Sequence, residues 1–266
     1  MDLLLPAERH RRIQEFLQEH RAARVSTLAE QLGVSEVTIR RDLEDLERRG
    51  LLERTHGGAI VAERLARESP YVEAASRHPV EKQRIAAAAA RLAADGDTVF
   101  LNGGTTTLEV VRRLGPHVRV VTNHVGAAME AGDRSAELVL VGGEYRFASS
   151  SCVGELATRT LRGIFATRSF IGVEGFSLRS GLTTPAIAEA EVARVMIEQT
   201  RGQVVIVADS SKVGVVADFS IAPIEAASIL VTDAGLDDEY RVELTALGVQ
   251  VVVADDVIVV PTSAPV

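Results

Sequence analysis

The chain has 266 residues, 46% apolar and 25% charged, with a formal net charge of −8. This length gives one to two domains with ample material for a buried core, the composition excludes a disordered chain, and the acidic balance excludes an indiscriminate polyanion binder. Its single cysteine, Cys152, excludes an internal disulfide and fits a reducing, cytoplasmic setting.

The short LLLP run before Glu8 predicts no signal peptide, and no apolar run reaches the roughly 20 residues of a membrane helix. The six histidines and one cysteine show no metal-ligand spacing. No metal, cofactor or catalytic residue is expected.

Residues 6–20 predict a first helix with Ile13, Phe16 and Leu17 on one face. Thr27 and Glu30 have capping-box spacing, so a second helix is expected to start at Ser26 or Thr27 and to end at Gly33. A third helix is predicted over 35–49. Ser35 suits its N-cap, and Gly50 suits the position after its end. Ile39, Leu43 and Leu46 repeat at i, i+4, i+7 and form an inward stripe. Val37, Arg41, Glu44 and Arg48 then face the opposite way, with Thr38 and Arg40 beside them.

The segments 52–54 and 59–61, joined by His56-Gly57-Gly58, predict a two-strand flap. Helix, glycine turn, helix and flap together predict a winged helix-turn-helix, whose N-terminal recognition residues reach base edges in the DNA major groove. Ser35, Val37, Thr38, Arg40 and Arg41 are the expected contacts, with Arg54 and His56 on the wing. Arg pairs bidentately with guanine, and Val or Thr methyls touch thymine. Residues 1–60 hold ten Arg against eleven Asp and Glu, about −1 in all. DNA affinity must therefore come from the placement of Arg on one face.

The reader domain is assigned to 6–62 and a polar, proline-bearing linker to 63–79. From 80 to 256 the pattern alternates. A helix is expected over 81–94 and a turn at Asp95-Gly96-Asp97. Strands are expected at 98–101, 118–121, 138–141, 169–173, 204–208, 229–232 and 249–253. Helices are expected at 106–113, 125–131, 154–164, 187–199 and 238–247. Near-continuous Val, Ile and Leu strands between helices predict an α/β domain with a mostly parallel sheet covered on both faces.

Ligands of such sheets bind beyond the carboxyl ends of the strands, and polar groups follow several of these ends. Asn102, Gly103, Gly104, Thr105, Thr106 and Thr107 follow the first strand and open a helix. Glycines allow close backbone approach and helix N-terminal amides attract an anion, which makes this stretch a candidate phosphate cradle. A capped strand-to-helix turn is the competing reading. Thr122 and Asn123, Glu174, Asp209 with Lys212, and Asp233 follow other strands. Lys212 is one of only two lysines in an arginine-rich chain, and it is the strongest single candidate in this domain.

The stretch SEVTIRRDLEDLERRGLLERTHGGA, together with NGGTTT, IGVEGF, GLTTP and ADSSK, resembles the DeoR family of bacterial transcriptional regulators over roughly residues 8–254. The resemblance implies a second domain similar in fold to ribose-5-phosphate isomerase and the CoA-transferases. It implies a repressor of carbohydrate genes that a phosphorylated sugar or related metabolite releases from its double-stranded DNA operator. Gly104, Thr105, Thr106 and Thr107 would hold the phosphate, and Asp209 and Lys212 would face sugar hydroxyls. Asn102 and Glu174 depart from the family's commoner pattern, in which Asp is frequent at both positions.

Half-site reading by a helix-turn-helix leads to the expectation of a homo-oligomer, a dimer or tetramer. Two alternatives remain open at the level of sequence. One is a sugar-phosphate isomerase-like enzyme with an attached interaction module. The other takes the winged helix itself as a protein-interaction module.

Overall fold

A computed structural model describes residues 5–20, 22–55, 57–64, 68–130 and 137–254. The first unit runs α1 (Pro6–His20), β1 (Ala22–Arg24), α2 (Val25–Leu32), α3 (Glu36–Arg48), β2 (Leu52–Arg54) and β3 (Gly58–Val61). Ser35 caps α3 by accepting the Thr38 N–H at 3.2 Å. Gly50 follows the helix at φ +70°, where a side chain would be strained. Ile13, Leu17, Leu28, Ile39, Leu43 and Leu46 close one core. The expected capping box does not form: α2 begins at Val25, because β1 feeds straight into it and no side chain caps its start.

The connecting stretch carries β4 (Glu63–Arg64) and α4 (Tyr71–Ser76), and α5 (Pro79–Ala90) follows. The second unit continues with β5 (Thr98–Leu101), α6 (Thr105–Arg113), β6 (Arg119–Thr122), α7 (Val125–Glu130), β7 (Leu138–Leu140), β8 (Glu144–Arg146), β9 (Ser151–Val153) and α8 (Glu155–Arg162). It ends with β10 (Ala166–Ile171), β11 (Gly175–Ser177), β12 (Gly181–Thr184), α9 (Ile187–Glu198), β13 (Thr200–Val207), β14 (Val215–Val216), β15 (Phe219–Ala222), β16 (Ile229–Thr232), α10 (Asp238–Ala246) and β17 (Gln250–Val253). Residue 131, at the end of the helix expected over 125–131, lies outside the described residues.

The main sheet has the order β17-β16-β13-β10-β5-β6-β7, and its pairings are parallel. Successive residues alternate between two cores. Phe100, Ile171, Ile206 and Leu230 pack with α8, α9 and α10, whereas Val99, Leu101, Phe170 and Val205 pack with α5, α6 and α7. Burial on both faces is what makes these strands read as unbroken apolar runs. The chain enters at β5, builds outward to β7, and returns to build outward again from β10. The adjacent carboxyl ends of β5 and β10 therefore form the topological switch point, where open α/β sheets bind ligands.

The expected two-strand flap is packed between the two units. The β2 and β3 spans come out as expected, but β1 adds a third strand in the order β1-β3-β2, and all of β3 is buried. Ala59 and Val61 face the reader's own core, while Ile60 joins the core of the second unit. The Glu53 carboxylate accepts the Leu178 N–H at 3.2 Å. Glu239 of α10 accepts from Thr55 Oγ1 at 3.2 Å and pairs with Arg24 Nε at 2.9 Å. The small sheet is thus a plate between the two units.

Candidate functional site

On α3, the residues opposite the buried stripe stand in solvent. Val37 is 60% exposed, and Arg40, Arg41, Glu44 and Arg48 are exposed. Arg40 is paired with Glu36 at 3.2 Å and Arg48 with Asp45 at 2.9 Å. Arg41 has no partner among the described residues. Exposed i,i+3 and i,i+4 pairs hold their arginines only weakly, so all three remain available to an incoming phosphate or base. The Ser35 and Thr38 hydroxyls stand 2.9 Å apart and are engaged in the cap, which leaves the Thr38 methyl as its contact group.

The pose of α3 is set from behind. Buried Asp42 accepts from Arg9 of α1 through two nitrogens, Nη2 at 2.8 Å and Nε, and His10 Nε2 stands 3.0 Å from the same carboxylate. Asp42 holds the Arg9 guanidinium above its usual range. Arg54 is half-buried beside the plate. His56, the other expected wing contact, lies outside the described residues.

A cavity of about 390 Å³ opens at the switch point of the second unit, within the range of small-molecule sites. It gathers Asn102, Gly103, Gly104, Thr105, Thr106, Thr107, Asn123, Glu174, Asp209 and Lys212. No side chain caps α6, so its start offers first-turn N–H groups and the positive end of the helix dipole. A Cβ at Gly103 would stand 2.5 Å from the Ser151 Cβ, so glycine is what lets this loop lie against β9.

Asn102, which lines the cavity, also acts as a clasp. Its Nδ2 donates to the Gly172 carbonyl at 2.9 Å and its Oδ1 accepts the Gly172 N–H at 2.8 Å, joining the ends of β5 and β10. An ionised Asp accepts only and would leave that carbonyl unmatched, which accounts for Asn at this position. Asn123 Nδ2 donates to the Cys152 carbonyl at 2.7 Å. Its Oδ1 is buried and has no partner among the described residues, so an acceptor is left unused at a residue that lines the cavity.

Two expected residues do not line the cavity. Thr122 is buried beneath it and accepts the His124 N–H at 3.1 Å. Asp233 accepts from the Ser210 N–H at 2.7 Å, the Ser210 hydroxyl at 2.8 Å and the Gly235 N–H at 3.0 Å. It shapes the turn that presents Asp209 and Lys212.

The remaining wall comes from residues outside the expected set. Glu68, Ser69, Tyr71, Arg77 and Lys82 come from the connecting stretch and α5, and Ser149, Ser151, Thr184 and Glu189 from later in the chain. Both lysines of the chain therefore face one cavity. Lys82 donates to the Ala74 carbonyl; burial lowers its pKa, with Lys212 and Arg77 adding to the shift while Asp209 and Glu174 oppose it. Lys212 Nζ donates to Glu174 Oε2 at 2.7 Å. Arg146 of β8 bridges Glu68 at 2.6 Å and Glu189 at 2.9 Å. Tyr71 meets His124 Nε2 at 2.9 Å; burial pushes the phenol up to about 12 and the imidazole down to about 4, so that imidazole is neutral. The signal that sequence alone could have used was Lys82, the other lysine.

Among the described residues no group of three or more His, Cys, Asp or Glu is placed to hold a metal, and no helix is long and apolar enough to cross a membrane.

Comparison with known proteins gives two family matches. A family model described as the DeoR-like helix-turn-helix domain matches residues 9–64, and one described as the DeoR C terminal sensor domain matches residues 77–234. The chain is 38% identical to the HTH-type transcriptional regulator GlpR of Haloferax volcanii, over 94% of this chain and 98% of that protein. It is 33% identical to the transcriptional repressor AccR of Agrobacterium fabrum, over 86% of this chain and 90% of that one. Among solved structures, ribose 5-phosphate isomerase A of Methanocaldococcus jannaschii aligns at a TM-score of 0.36 and 18% identity, covering 50% of this chain and 53% of that chain.

Proposed function

The chain belongs to the DeoR family of DNA-binding transcriptional regulators, and we propose that it is a repressor of carbohydrate-metabolism genes released from its operator by a phosphorylated sugar or related metabolite. The relatives carry the names of regulators along nearly their whole length, so the chain is read as a regulator and not as an isomerase.

The observation that carries the effector reading is the cavity itself. It combines an uncapped helix start behind Gly103 and Gly104 with a polar lining of carboxylates, two lysines and an unpaired amide oxygen. An anion is stabilised at the first of these, because aligned N–H groups and the helix dipole favour negative charge. A polyol suits the second, because Asp209, Glu174, Glu189 and Asn123 Oδ1 accept hydrogen bonds and a sugar's hydroxyls donate them. A phosphorylated sugar carries both ends in one molecule. Release from DNA requires only that the ligand bind the DNA-free form more tightly than the DNA-bound form. A symmetric oligomer would set two α3 helices at the spacing of two operator half-sites.

The test is fluorescence anisotropy of genomic fragments, beginning with the DNA upstream of the protein's own gene, at two salt concentrations. Specific binding that weakens steeply with salt is expected, since phosphate contacts release counterions. Reversal by one member of a panel of sugar phosphates is expected as well. Binding that every member of the panel leaves untouched would remove the sugar-phosphate effector from the reading.

A further inference from the structure

We propose that the Lys212–Glu174 ion pair is the element through which occupancy of the cavity is transmitted to the DNA-reading unit. The proposal rests on the effector reading above and adds the route by which that site acts. Both residues line the cavity, and Lys212 Nζ stands 2.7 Å from Glu174 Oε2. Each is also the root of a short segment whose far end grips the reader's sheet.

Glu174 leads directly into β11, and the residue after that strand, Leu178, donates its N–H to Glu53 of β2. Lys212 ends a single helical turn over Ser210–Lys212 and leads through Val213 and Gly214 into β14. β14 pairs with β4, Val215 with Glu63 and Val216 with Arg64, three residues or fewer beyond the end of β3. The ion pair thus closes a fork with one prong on the small sheet at Glu53 and the other on the segment that leaves it, residues 61–64.

The prongs touch backbone to backbone. A Cβ on Gly175 would stand 2.1 Å from the Val215 carbonyl oxygen, and one on Gly214, at φ +72°, would stand 2.0 Å from that of Val61. Gly214 N–H also donates to the Phe176 carbonyl at 2.9 Å. With no side chain to absorb a displacement at these contacts, a shift of β11 against β14 reaches β3 directly. An anion in the cavity competes with the Glu174 carboxylate for the Lys212 ammonium. Loss of that partner frees the two roots to separate.

The experiment uses the full chain without ligand, comparing the wild type with Lys212→Met and Glu174→Gln. Backbone amide exchange is read at Gly58–Val61 and Val215–Val216, and operator affinity by anisotropy. Each substitution is expected to speed exchange at both segments about tenfold or more, as a local opening does. Each is also expected to change operator affinity about fivefold or more, the lower end of ordinary allosteric coupling. The charge swap Lys212→Glu with Glu174→Lys should restore both readings, which a loss of general stability would not allow. Wild-type exchange and affinity in both single variants overturn the proposal. Ribose 5-phosphate and inorganic phosphate, added to the wild type, should speed the same amides. Binding of either without that acceleration overturns the coupling, whereas failure of every member of the sugar-phosphate panel to bind overturns the effector reading on which it rests.

Discussion

Arg41 and Glu53 show how differently two charged residues of one small unit are used. Arg41 is exposed near the start of α3 and has no partner among the described residues, so its guanidinium is available to a base edge. Arg41→Ala is expected to weaken operator binding by about 1–3 kcal/mol and to relax sequence preference at one position. An anisotropy titration against the operator and single-base variants measures both. Equal affinity and equal preference would remove Arg41 from base reading. Glu53 is buried at the plate, and its pKa is raised, chiefly by burial, while hydrogen bonds from Ser177 and the Leu178 and Arg179 backbones oppose the shift. A carboxyl whose folded pKa lies above its unfolded value stabilises the fold below the unfolded value, and that contribution is lost as pH rises through the folded one. Glu53→Gln should therefore raise the thermal midpoint at about pH 7.5 and bring little gain at about pH 4. A gain that is larger at the acid end would contradict this sign.

At the scale of elements, what was legible followed from periodicity. The stripe of Ile39, Leu43 and Leu46 marked α3, and the strands of the main sheet announced themselves as Val, Ile or Leu runs, the inner ones because both their faces are covered. The hairpin β8–β9 and the sheet β11-β12-β15 were not legible, since short strands such as EYR and GFS carry no Val, Ile or Leu run. The wing was seen as a hairpin, but not its packing. Its sequence, LER then GAIV, carries no mark of which surface would cover Ile60. The cavity was half legible: glycine and threonine after β5 and the lysine after β13 stand at strand ends, whereas Glu68, Tyr71 and Arg77 arrive from a stretch whose position only tertiary packing decides. Asn102 and Asp233 sat where a ligand arm was expected, yet their hydrogen bonds are spent on shaping the site. The Arg9–Asp42 pair also belongs to this scale, because it fixes α3 against α1. Asp42→Ala removes the carboxylate that accepts two of the Arg9 hydrogen bonds and should destabilise the reader by about 1.5–3 kcal/mol, read as faster amide exchange along α3. Unchanged exchange there would mean that apolar packing alone sets the pose of α3.

Across the whole molecule, an acidic chain exposes arginines on one face of α3 and keeps both its lysines for a cavity in the other unit. The sheet between the two units belongs to both: its strands complete the reader's core on one face and meet Glu239, Leu178 and the second core on the other. Two sites joined in this way must obey reciprocity, because a ligand that lowers operator affinity is itself bound less tightly by the operator complex, by the same factor. The decisive measurement is therefore a pair of titrations on the full chain, operator affinity with and without saturating sugar phosphate, and sugar-phosphate affinity with and without saturating operator. Equal factors of about fivefold or more in the two directions are the expected result. Tight operator binding and tight sugar-phosphate binding that ignore each other would contradict it.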